Sequence, residues 1–249
     1  MKKEIEFNKY KKRGDYHWQG ITGNIFNANI FLQARYQTVL NQIPRKNKHI
    51  VVADIGCGDG VLSYLIRKKS LARVFGVDPS LEAIMIARNK LRQLKIKDCS
   101  FKVGSGYELP FKNNYFDYVV LADVIEHVRE PKKLLDETYR ILKRNGIIIL
   151  SSVIRQEGKV GDHLHTREYT SLELIKLLEK NYIVIKIVMF SPNWFTELYK
   201  ISIPFFGWKP QPYRYFMNLI HALFKVNIFM LKFGEKFTCQ TLIGKKYEK

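Results

Sequence analysis

Val51-Val52-Ala53-Asp54-Ile55-Gly56-Cys57-Gly58-Asp59-Gly60 is the stretch whose reading decides the fold. A continuous apolar run from His49 to Ala53 ends in a glycine-rich turn, and such a run marks a strand buried on both faces of a parallel sheet. Glycines after the strand let the backbone turn sharply and approach a ligand with no Cβ in the way. A dinucleotide site at this point would carry Gly-x-Gly-x-x-Gly. Here Val61 takes the third glycine's place, and acids at 54 and 59 suit a diphosphate poorly. They suit a ligand that carries cationic groups.

Outward from the loop, the sequence alternates. Helical sequence runs from Val61 to Lys69, and a second strand covers Arg73 to Val77. Ser80 caps a helix reaching about Lys95. Strands follow near Ser100–Val103 and Phe116–Leu121. The next helix begins at Pro131 and stops at Lys143-Arg144-Asn145-Gly146, before a strand at Ile147–Leu150. A helix from Ser171 to Lys180, a strand from Tyr182 to Phe190 and a last strand from Thr238 to Gly244 complete the series. Alternation of this kind predicts an α/β, doubly wound, mostly parallel seven-stranded sheet of Rossmann-like type. Asp78, at the end of the second strand, is placed to accept both hydroxyls of a ribose.

The segments VVADIGCGDG, FGVDPS, GYELPF, FDYVVLADVIEHV and LKRNGIIILSS, in this order, resemble those of class I S-adenosylmethionine-dependent methyltransferases, across residues 48 to 190. By that resemblance S-adenosylmethionine is the cofactor. Asp54 and the backbone of Gly56, Cys57 and Gly58 hold its methionine end, Asp78 its ribose, and Pro79 lies beside the adenine. Ser105 and Gly106 stand where family members often carry Asp-Ala, and Ala122 offers backbone contact. The cofactor carries the reactivity, so the protein's task is alignment and electrostatics.

Asp123-Val124-Ile125-Glu126-His127 follows the fourth strand, and Asp162-His163-Leu164-His165 follows the fifth. The first resembles the acidic-x-x-Glu-His element of quinone-pathway O-methyltransferases and of small-RNA 2′-O-methyltransferases, with Asp123 in place of the familiar Glu. Two readings stand side by side. Asp123, Glu126, His127 and His163 hold a divalent cation such as Mg²⁺, or, without metal, Glu126, His127 and His165 act as acid–base groups on the acceptor.

Two flanking regions bear on the acceptor. Residues 1–48 read as an aromatic N-terminal helical arm, in which Asp15-Tyr16-His17-Trp18 either closes over the cofactor or staples the arm to the 49–190 core. Residues 191–235 form a helical insertion before the last strand and the 236–249 tail, all within one methyltransferase domain. Pro192, Pro204, Pro210 and Pro212 break its first half, among Trp194, Phe205, Phe206 and Trp208. Its second half reads as a helix from Tyr213 to Lys232 with a narrow polar stripe (Arg214, Asn218, His221, Lys225, Lys232) opposite a wide apolar face. That face packs on the domain as a lid or lies in a membrane interface. Either suits a small-molecule or lipid-like acceptor, methylated on oxygen.

The net charge of +19 over 249 residues favours anionic partners or reflects a lysine-rich solvated surface. No basic stripe with interleaved aromatics marks a nucleic-acid site, which places an RNA methyltransferase second. A non-catalytic scaffold and a nicotinamide-dependent reductase follow. Three scattered cysteines and a polar N-terminus point to a reducing cytoplasm, with peripheral membrane contact left open through 191–235.

Overall fold

A computed structural model describes residues 9–157, 162–203, 210–234 and 236–247. In chain order the elements are α1 (Lys9–Arg13), α2 (Tyr16–Thr22), α3 (Ile30–Leu40), β1 (Val51–Ile55), α4 (Val61–Ser70), β2 (Arg73–Asp78), α5 (Leu81–Gln93) and β3 (Cys99–Val103). Then come β4 (Phe116–Ala122), α6 (Pro131–Ile141), β5 (Leu142–Val153), α7 (Ser171–Leu178), β6 (Tyr182–Pro192), α8 (Asn193–Lys200), α9 (Pro212–Phe224), a 3₁₀ turn (Ile228–Met230) and β7 (Phe237–Lys246).

The sheet order is β3-β2-β1-β4-β5-β7-β6. β7 runs antiparallel to both its neighbours and the other pairings are parallel. Alternate residues of the central strands feed two cores. Val51, Ala53, Ile55, Val119 and Leu121 face α6 and α7, whereas Val52, Val74, Val120 and Ile149 face α3 and α4. The winding reverses between β1 and β4, so the crevice at their carboxyl ends is where this architecture receives ligands.

Local chemistry sets several boundaries. Ser80 accepts from the Ala83 amide at the start of α5, and Thr170 and Glu173 form a capping box on α7. Two boundaries differ from the sequence reading. β5 begins at Leu142, not Ile147: Leu142 is fully buried opposite Phe116, and Lys143 bonds Asp117 at 2.8 Å. The Lys143–Gly146 segment therefore belongs to the strand, and α6 ends at Ile141 without a glycine stop.

The insertion differs more. An unforeseen helix, α8, follows β6 directly, and α9 stops at Phe224, well short of Lys232. Lys225 there adopts a left-handed conformation (φ 57°) and closes the helix on His221. α9 also turns Arg214 and Asn218 of its polar stripe toward the body of the protein, alongside Met217 and Ile220, and leaves Phe216, Leu219, Leu223 and Phe224 exposed. Pro204, Phe205, Phe206 and Trp208 lie outside the described residues. Among the described residues, no helix is long and apolar enough to cross a membrane.

Candidate active site

A cleft of about 1060 Å³ opens over the carboxyl ends of β1, β2, β4 and β5. Asp54, Gly56, Cys57, Asp78, Pro79, Ser105, Gly106 and Ala122 line it at one end. Asp123, Glu126, His127 and His165 line it at the other, with residues of the arm and of α8 between.

At the first end, Asp54 is buried and accepts a 2.6 Å hydrogen bond from the Ser63 hydroxyl. Burial outweighs that bond and, with Asp78 nearby, raises its pKa to about 7. Gly56 and Gly58 have φ of +74° and +52°, a region that strains any side chain. A Cβ on Gly58 would collide with the Tyr10 hydroxyl, because Tyr10 of the arm rests on the loop.

The loop's amides are already engaged within the protein. Gly56 and Cys57 donate to the Val77 carbonyl at 2.7 and 3.1 Å, and Gly58 donates to Asp78 Oδ2 at 2.8 Å. With these amides engaged, the loop offers a ligand acceptors and carboxylates. Such a site matches an ammonium or sulfonium and repels a diphosphate. Asp78 also accepts from the Ser80 amide at 2.9 Å; burial raises its pKa against both amide bonds.

The arm is tied to the same loop. Trp18 Nε1 donates to the Asp59 carbonyl at 2.8 Å, His17 Nδ1 lies 3.4 Å from the Asp59 carboxylate, and Asp15 pairs with Lys90 at 2.6 Å. Trp18 and His17 thus staple the arm, while Tyr16 and His17 also wall the cleft.

At the other end, Glu126 is fully buried. Desolvation, and after it the neighbouring Asp123, push its pKa well above the ordinary carboxylate range. Its Oε2 meets the Ser152 hydroxyl at 3.3 Å, and Oε1 has no hydrogen-bond partner among the described residues. The Thr166 and Arg167 amides donate to the Glu126 carbonyl, which clips the segment after β5 onto β4's end. That clip brings His165 beside His127, with ring centroids 4.9 Å apart. His127 Nδ1 lies 3.0 Å from the Leu164 carbonyl and His165 Nδ1 lies 2.6 Å from Glu168 Oε1. Each contact favours the tautomer whose lone pair is on Nε2. Burial lowers the His127 pKa.

Ligand atoms of Glu126, His127 and His165 lie within 4.8 Å of one another. Two residues of the expected metal set are not in this group. His163 is exposed and pairs with Asp162 at 3.2 Å. Asp123, in a left-handed conformation (φ 59°), is held by an ion pair with Arg35 of α3. Arg35, Tyr10 and Glu168 belong to no motif that sequence reading picks out. Arg35's one signal is a charge among the buried positions of α3.

A seven-stranded sheet with an antiparallel seventh strand, carrying this acid–glycine loop at its switch point, is the architecture of a class I methyltransferase, and residues 53–150 match the family model described as a methyltransferase domain. That match spans 98 of the 249 residues and makes this region of the chain similar to a methyltransferase domain. The chain is 36% identical over 118 residues to the ubiquinone/menaquinone biosynthesis C-methyltransferase of Rickettsia bellii, covering 44% of this chain and 46% of that protein. It is 33% identical over 106 residues to the ubiquinone biosynthesis O-methyltransferase of Pelagibacter ubique, covering 43% of each. The chain thus matches less than half the length of these relatives. A crystal structure of an S-adenosylmethionine-dependent methyltransferase from Aquifex aeolicus aligns with a TM-score of 0.59 at 17% identity, over 85% of this chain and 89% of that one.

Proposed function

We propose that the protein transfers the methyl group of S-adenosylmethionine to an oxygen of a small-molecule or lipid-linked acceptor. The observation that carries this reading is a single cleft with a cation-accepting loop at one end and acid–base groups at the other. The sulfonium and ammonium would face Asp54 and the loop's acceptor groups, and the ribose would meet Asp78. An acceptor hydroxyl must lose its proton as the methyl arrives, and Nε2 of His127 or His165 is suited to take it. The relatives named for quinone pathways support a small acceptor.

The donor set Glu126, His127 and His165 also fits a divalent cation. The buried Oε1 of Glu126 lacks a partner among the described residues, and each imidazole is oriented through one ring nitrogen, as metal-ligating histidines are. Such an ion would supply Lewis acidity that lowers the acceptor's pKa.

The test is incubation with radiolabelled S-adenosylmethionine and fractionated cell extract. Label in lipid-extractable or small polar molecules is expected. Label in RNA alone would replace this reading with a nucleic-acid acceptor, and no binding of S-adenosylhomocysteine by calorimetry would remove methyl transfer altogether.

A further inference from the structure

Helix α9 turns a mixed face inward, with Met217 in the core, Ile220 against it and polar side chains beside them, and leaves most of its large apolar side chains outside. Asn218 is buried, and its Nδ2 donates to the carbonyls of Ile25 and Ala28 at 2.7 and 2.9 Å. Arg214 donates to the Ala28 carbonyl at 3.1 Å, and the Tyr199 hydroxyl of α8 donates to Asn218 Oδ1 at 3.1 Å. These bonds satisfy carbonyls of the turn before α3 and fix the helix's rotation, since turning it would strand them. The apolar stripe is thereby held outward: Phe216 is 61% exposed, Leu223 65% and Phe224 69%, with Tyr213 and Leu219 also exposed.

We propose that this face docks on an anionic lipid bilayer surface. Three observations select that occupant. No Asp or Glu occurs between 198 and 234, and exposed Lys200, Lys225 and Lys232 lie in that interval. A second copy would therefore bring like charges together, whereas anionic headgroups neutralise them. The face is a convex helix carrying aromatic and aliphatic side chains, the form that enters a headgroup–acyl boundary. It is also continuous with the cleft, because α9 packs on α8, and Asn193, Thr196 and Lys200 of α8 line the cleft wall. Docking sets the cleft beside the bilayer, whichever acceptor is methylated.

The experiment is flotation of the intact chain with phosphatidylcholine vesicles, with and without phosphatidylglycerol, and needs no activity. Co-flotation with the phosphatidylglycerol vesicles, weakened by salt, is expected. The double variant Phe216→Ser, Leu223→Ser should lose binding by at least about tenfold with an unchanged melting temperature, because its inward bonds are intact. In a second measurement, Leu223→Trp should give fluorescence quenched by brominated lipid. Failure of the parent chain to bind either vesicle, or retained binding by the double variant, overturns the proposal. So does a dimer in solution that the double variant splits, which would assign the face to a second copy.

Discussion

Asp54, Gly56, Gly58 and Asp78, at the β1–β2 end of the cleft, are close in sequence and fasten chiefly on one another and their immediate neighbours. At the β4–β5 end, His165 reaches Glu126 and His127 through non-local contacts, among them the Thr166 and Arg167 amides on the Glu126 carbonyl and His127 Nδ1 against the Leu164 carbonyl. Arg35 arrives there from a helix before the first strand. The first end is therefore set by local backbone geometry, which short motifs encode. The second is assembled by tertiary contacts.

The comparison breaks most sharply if the two ends are disabled separately. Glu126→Gln should lower kcat by roughly 10²–10⁴-fold while leaving S-adenosylhomocysteine affinity within about twofold, measured by turnover and calorimetry. An equal loss of affinity would mean that the ends are not separable. Asp78→Ala should do the converse, weakening S-adenosylhomocysteine binding about 100-fold through lost ribose bonds and a loosened Gly58 amide.

Asp54 sharpens the contrast through pH. Its folded pKa of about 7 exceeds the ordinary 3.8. Being raised, it costs no stability below the unfolded value, a growing amount as pH rises between the two, and the full amount above about 7. Asp54→Asn should therefore raise the melting temperature of the ligand-free protein at pH 8, leave it unchanged near pH 4, and abolish tight cofactor binding. The parent chain should bind S-adenosylmethionine more tightly as pH rises through 7. A melting temperature lowered by Asp54→Asn at pH 8 would show that ionising the buried carboxylate carries no penalty. The smallest effect belongs to the staple: Trp18→Phe removes the bond to the Asp59 carbonyl and should cost about 1 kcal/mol by denaturant unfolding.

The alternation of strands and helices, the glycine turn and Asp78 at a strand end are legible because a buried parallel strand and its turn are written in consecutive residues. The choice between His163 and His165 is not. Both follow the same strand, and only the clip on Glu126 and the Glu168 carboxylate turn His165 inward. Periodicity likewise assigns α9 two faces without saying which is buried. That choice is made by backbone carbonyls at Ile25 and Ala28, atoms that every residue type carries alike. The early start of β5 is hidden for a related reason: Gly146 reads as a helix stop until Leu142 is seen opposite Phe116.

Tyr10, seated on Gly58, makes the N-terminal arm part of the cleft's timing as well as its wall. A cofactor bound against that wall would leave only as the contacts of Asp15 with Lys90 and of Trp18 with Asp59 allow. Its residence would then depend on short helices at the start of the chain, far in sequence from the groups that would act on the acceptor.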